Sequence, residues 1–166
     1  MKILKPAFLA LFSLFAVSTW GQIEDPAHWS IDLYESSEDG KVDLVFECKL
    51  DSSWKVYSQD VDPMAGPMPT YFEIKVPEGV ELPASTSECD PLVDYDPNFM
   101  VDLKFFKKKA YFWATLDLSG AAPSDSISGF YSFMVCNNEM CLPPTDVDFS
   151  VKVSDIKPGD SRPEYC

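Results

Sequence analysis

The sequence predicts an all-β domain, an antiparallel β-sandwich of immunoglobulin type, and three observations carry that prediction. Apolar and polar residues alternate with period two along several short segments. Clusters of Gly, Pro, Asp and Ser punctuate them as turns. No stretch keeps a helical period, and 14 prolines would interrupt most helices.

Taken in order, "HWSIDLY" (28–34) opens the series, and Glu38-Asp39-Gly40 turns the chain. "VDLVFECKL" sets Val42, Leu44, Phe46, Cys48 and Leu50 on one face and Asp43, Glu47 and Lys49 on the other. "TYFEIKV" (70–76) follows and ends at the turn Pro77-Glu78-Gly79. "AYFWATLDL" (110–118) and "SGFYSFMV" (128–135) are rich in the aromatic residues that strands favour, with Ala122-Pro123-Ser124 between them. "TDVDFSVKV" closes the set, with Val147, Phe149, Val151 and Val153 on one face. Six to nine strands fit this pattern. No repeat and no long linker divides them, so residues 22–155 read as one domain and 156–166 as a polar tail, mobile up to Cys166.

Residues 1–21 read as a secretory signal peptide: Lys2 and Lys5, an apolar run from Ala7 to Val17, and a cleavage site near Thr19-Trp20-Gly21. The run is too short for a membrane span, which needs about 20 apolar residues. The expectation is a soluble, exported protein. Without those residues the formal charge moves from −14 to −16, because two lysines leave with them. Such acidity argues against nucleic-acid binding, since phosphates would be repelled. Five cysteines, Cys48, Cys89, Cys136, Cys141 and Cys166, remain in a compartment that permits disulfides, and an odd count leaves at least one unpaired within the chain.

The chemistry concentrates in "MVCNNEMCLPP" (134–144). A metal site on Cys136 and Cys141 would need two more ligands, yet the sequence has a single histidine, His28, and no second cysteine pair. No metal and no other cofactor is expected. As a structural bridge, so short a loop contributes about 2 kcal/mol, less than a long-range staple. The first cysteine ends a strand (Phe130 to Val135) and the second precedes the next, so the pair stands at a hairpin mouth where sulfur can meet a partner. Spacing alone leaves a structural bridge and an exchange pair both open. Pro143 and Pro144 stiffen the exit from the loop. No helix N-terminus or cation adjacent in sequence is evident to favour a thiolate, and Glu139 opposes one, unless the fold brings in Lys107 to Lys109 from elsewhere.

"GFYSFMVCNNEMCLPPTDVDFSV" resembles the signature region of the N-terminal periplasmic domain of the thiol:disulfide interchange protein DsbD, in which a strand leads into Cys, a short polar loop, Cys and Pro-Pro. "WKVYSQDVDPMAGPMPTYFEI" resembles another segment of the same domains, and the likeness runs from about Trp29 to Val153. The resemblance implies an immunoglobulin-like sandwich whose cysteine pair exchanges disulfides with thioredoxin-like periplasmic proteins, as electron donor and recipient. In that family the electrons come through a membrane reductase and reach isomerases and cytochrome c maturation proteins. Carried onto this chain, Cys141 forms the mixed disulfides and Cys136 resolves them. The family shields its pair with an aromatic cap loop, and "DYDPNFM" supplies Phe99 as candidate cap, with Asp96 and Asn98 beside it; Phe99 as ordinary core is the competing reading. Leu142 stands where the family can carry an aromatic residue, and frames the site with Pro143 and Pro144. The chain departs from the family in its four-residue loop and in ending at Cys166 without a membrane segment or a Cys-x-x-Cys module, so it is either free-standing or shortened.

The remaining residues read more simply. Cys48 is a buried small hydrophobe. Cys89 is free or paired with Cys166. His28 is a surface residue, Lys104 and Lys107 to Lys109 form a solvated face, and Trp29, Trp54 and Trp113 belong to the core. The function expected is thiol–disulfide exchange in the periplasm. Its alternatives are a secreted binding module with a structural Cys136–Cys141 bridge, or an assembly protein that docks through an exposed sheet edge.

Overall fold

A computed structural model describes residues 24–159 and Cys166. The expected signal peptide, and the tail apart from its start and last residue, lie outside the described residues. The described chain is all-β, as expected, with two single 3-10 turns (Pro63–Ala65, Val153–Asp155) and no α-helix. Among the described residues no helix is long and apolar enough to cross a membrane.

The strands are β1 (Ala27–Glu35), β2 (Val42–Leu50), β3 (Lys55–Tyr57), β4 (Tyr71–Lys75), β5 (Ser87–Glu88), β6 (Leu92–Asp96), β7 (Val101–Lys107), β8 (Lys109–Leu116), β9 (Ser126–Phe133), β10 (Val135–Cys136) and β11 (Thr145–Lys152). They pair antiparallel in three sheets, ordered β1-β2-β8-β5, β11-β9-β4 and β10-β3-β7-β6. The six segments with period two or aromatic enrichment are strands. The short β3, β5 and β6 and the whole of β7 were not expected.

The first two sheets face each other across an aromatic core. Trp29 of β1 lies 4.8 Å from Tyr131 and 5.2 Å from Phe133 of β9, centroid to centroid. Phe46 of β2 meets Phe72 of β4 at 4.4 Å and Phe149 of β11 edge-on at 5.1 Å. Such offset and edge-on pairs add to the hydrophobic gain of burying large rings. On the Asp43 face of β2, Val45 and Asp43 are both buried, with Asp43 accepting a hydrogen bond of 2.7 Å from the Thr115 hydroxyl, while Lys49 at the end of the strand is exposed. Central strands covered on both faces lose the alternation that a half-exposed strand shows.

The third sheet is used on both sides. Val56, Phe106 and Val135, side by side in register, join the main core. Their chain neighbours Tyr57, Phe105 and Cys136 point to the other face and form a second buried cluster with Val61 and Leu103. The start of the tail is hydrogen-bonded to β1: Glu35 N–H donates to the Lys157 carbonyl at 3.0 Å, and Lys157 N–H to the Leu33 carbonyl at 2.8 Å.

Candidate functional site

The chain changes sheets just before the first cysteine of the pair. β9 stops at Phe133, Met134 belongs to no ladder, and Val135–Cys136 pair with β3 of the third sheet. Cys136 therefore stands on its own short strand, not at the end of one running from Phe130 to Val135. Cys136 and Cys141 are joined by a disulfide, with Cα atoms 4.0 Å apart, and face each other as an isolated antiparallel bridge.

The loop between them is a hairpin held by its own polar groups. Asn137 N–H donates to the Met140 carbonyl at 2.9 Å. The Asn137 side-chain oxygen accepts the N–H groups of Glu139 and Met140, each at 2.8 Å. Leu142 N–H then donates to the Val135 carbonyl at 2.9 Å. Leu142 packs against the main core, while Pro143 and Pro144 are exposed. The two sulfurs differ in access: Cys136 is fully buried, and Cys141 is partly exposed.

A charged pair lies buried beside them, which the sequence did not reveal. Lys55 is the cross-strand partner of Cys136, and both are buried. Its ammonium reaches the Asp96 carboxylate at 2.8 Å, and the Tyr57 hydroxyl donates to the same oxygen at 2.6 Å. Burial alone would raise the Asp96 carboxyl, but hydrogen bonds from Lys55, Tyr57 and the Asn98 N–H outweigh it and hold it below the ordinary carboxylate range. Burial, reinforced by the bond to Asp96, pushes the Tyr57 hydroxyl well above the ordinary tyrosine range. The cation that the fold brings to the pair is thus Lys55, not one of Lys107 to Lys109. Pairing in the sheet brings Lys55 from 81 positions upstream to Cys136, although its charge is committed to Asp96.

Asp96 also builds the turn between β6 and β7. Its carbonyl accepts Met100 N–H at 2.7 Å and Phe99 N–H at 3.3 Å, and its carboxylate accepts Asn98 N–H at 2.9 Å. The Asn98 side-chain amide donates to the Asn137 carbonyl at 2.7 Å, which ties this turn to the cysteine hairpin. Phe99 is half-buried, edge-on to Tyr57 at 6.0 Å, and packs on the cluster that contains Cys136 and against which Cys141 also packs. A Cβ at Gly66 would overlap the Phe99 ring, and Gly66 has φ +120°, so glycine is needed there twice over. Asp96, Asn98 and Phe99, named from the sequence, are thus brought together with the cysteine pair. Lys55, Tyr57 and Gly66 complete the assembly.

The other cysteines separate from this site. Cys48 is free and fully buried in the main core, where burial pushes its thiol far up. Cys89 bonds to Cys166, 77 positions away. His28 is exposed and 3.0 Å from Asp51. Trp29, Trp54 and Trp113 pack in or against the core; the buried indole N–H of Trp29 finds no acceptor among the described residues. Lys107 and Lys109 are exposed, and Lys104 is ion-paired to Asp60. Among the described residues no three His, Cys, Asp or Glu side chains gather as a metal site would require.

No protein-family model and no curated protein matches the sequence. Among solved structures, the chain is similar to the N-terminal periplasmic domain of ScsB from Proteus mirabilis, with TM-score 0.57 and 17% identity over 80% of this chain and 49% of that one. It therefore spans about half the length of that relative. A more distant likeness is to the Neisseria meningitidis DsbD N-terminal domain in the reduced form, with TM-score 0.47 and 13% identity over 75% of this chain and 84% of that one. The chain thus shares its fold with the ScsB N-terminal periplasmic domain.

Proposed function

We propose that this chain is an exported thiol–disulfide exchange domain of the periplasm, working through Cys136 and Cys141. The observation that carries the reading is the unequal access of the two sulfurs in a bridge set on a tight, separately tethered hairpin. A partner thiolate attacks Cys141 Sγ, the sulfur it can reach. The Cys136–Cys141 bond breaks, a mixed disulfide forms, and the electron pair leaves on Cys136 as a thiolate. The partner's second thiol then attacks its own half of the mixed disulfide and releases Cys141. The partner ends oxidised to a disulfide, and this chain holds two thiols. In the opposite direction the Cys141 thiolate attacks a substrate disulfide, and Cys136 resolves the product.

Phe99 is the cap, held by the Asp96 turn below and by the Asn98–Asn137 bond at its rim, so that small oxidants and stray thiols meet an aromatic ring before Cys141. The partners are thioredoxin-like proteins of the same compartment, with a membrane reductase as upstream donor and cytochrome c maturation proteins among the recipients. The Cys89–Cys166 bridge supports the division of labour. By the loop-closure relation a bridge across 77 positions contributes about 4.5 kcal/mol, against about 2 for the short one, so stapling does not need Cys136–Cys141.

The test is a trap. Cys136→Ala should accumulate mixed disulfides through Cys141 with exported thioredoxin-like proteins, and the wild-type pair should titrate well above the roughly −300 mV of structural bridges. No captured partner, with a potential below that value, would leave the bridge structural.

A further inference from the structure

Exposed apolar surface is not spread evenly over this acidic chain. Among the described residues, eight of the ten exposed large apolar side chains sit on three segments that border the cysteine pair. Met64 and Met68 flank the Gly66 stretch against Phe99; Leu92, Val93, Tyr95, Met100 and Val101 belong to the β6–β7 hairpin that carries Phe99; and Met140 precedes Cys141. Register sets Leu92 opposite Phe105, so it shares the face of the sheet that builds the cysteine cluster. The fifth methionine of the described residues, Met134, packs on that cluster and accepts the Met68 N–H at 3.5 Å. Every methionine of the described chain is thus on or beside the site, with Met64 90% and Met100 76% exposed.

We propose that these residues form a methionine collar that docks a thioredoxin-like protein around the Cys141 sulfur. The inference rests on the exchange reading given above. A partner must bring its own sulfur within bonding distance of Cys141, so whatever it places around that sulfur lands on this collar. Unbranched, polarisable methionine side chains adapt to differing shapes, which suits one surface that must meet both a donor and a recipient. The exposed carboxylates of Asp62, Asp94, Asp102 and Glu139 stand among or beside the collar residues. They select a partner whose rim is neutral or basic, and they set like charges against one another if a second copy of this chain docks there.

The collar is tested by comparing a protein reductant with a small one. The oxidised wild type, and a variant with Met64→Gln, Met68→Gln, Met100→Gln and Met140→Gln, are each reduced by thioredoxin and by dithiothreitol. The second-order rate with thioredoxin should fall at least tenfold in the variant, while the dithiothreitol rate stays within twofold. The same four positions changed to leucine should restore the thioredoxin rate. If the quadruple variant folds poorly, Met64→Gln/Met100→Gln, at the two most exposed positions, should still lower the thioredoxin rate several-fold. Equal thioredoxin rates in wild type and Gln variants overturn the collar and leave the exchange reading standing. A wild type that dithiothreitol reduces and thioredoxin does not overturns both. A wild-type dimer in sedimentation that the Gln variant disperses would give the surface to a second copy and overturn the assignment.

Discussion

The molecule has two buried clusters on either side of one sheet, and they are built from different materials. The main core, around Trp29, Phe46, Phe72, Phe112, Tyr131 and Phe149, is a set of interlocking rings. The smaller cluster, around Tyr57, Leu103, Phe105 and Cys136, shares its buried face with the ion pair Lys55–Asp96. An apolar core is the cheaper way to hold a fold, because a buried ion pair recovers little beyond its own desolvation. A pair retained there points to a requirement other than stability. Here Asp96 forms the turn that carries Phe99, and Lys55 is the cross-strand neighbour of Cys136.

The sharpest way to break the comparison is to remove one element from each side. Phe46→Ala should cost about 3–5 kcal/mol of unfolding free energy, as ring deletions in packed cores do. Its reduction by dithiothreitol, measured well below the unfolding transition, should match wild type. Lys55→Met should cost a similar amount, about 3–5 kcal/mol, because it strands the Asp96 carboxylate without its cation. Unlike Phe46→Ala, it should also loosen the turn and speed alkylation of the reduced cysteines. If both variants change stability alone, the two clusters do not differ in role.

Acid should separate the clusters next. Asp96 is held below the ordinary carboxylate range in the folded protein, so its contribution to stability is fully present above about pH 4 and fades as pH falls toward the depressed native value. The stability difference between wild type and Asp96→Asn, from urea unfolding, should therefore shrink from pH 6 to pH 3. A gap that stays constant with pH would mean that the carboxylate charge is not what the turn depends on.

The main core was legible in the sequence because its residues obey period two or belong to aromatic runs. The second cluster was not, and the reasons are physical. β3 is three residues long, β6 is exposed on both faces except for Asp96, and β7 runs "VDLKFFK", whose adjacent phenylalanines serve opposite faces. Short or two-faced strands carry no alternation to read. Lys55 would by default be placed on the surface, since lysine is seldom buried without a partner, and that partner lies on another strand. Cys136, Cys141 and the "DPNF" segment were legible through the resemblance, which carried Asp96, Asn98 and Phe99 to the right neighbourhood without their bonding.

The smallest expected effect on stability tests the finest part of the comparison. Asn98→Ala removes one partly buried hydrogen bond to the Asn137 carbonyl, and should cost about 1 kcal/mol or less. That bond is a direct tie between the Phe99 turn and the hairpin that joins the two cysteines. Loosening it should raise the rate of reduction by a small thiol several-fold while the unfolding midpoint hardly moves. Asn98→Asp, which replaces the donor by a carboxylate facing a carbonyl, should raise that rate further. If instead both variants follow wild type in reduction rate, Phe99 acts as a packing residue of the small cluster, and access to Cys141 is set by the hairpin alone.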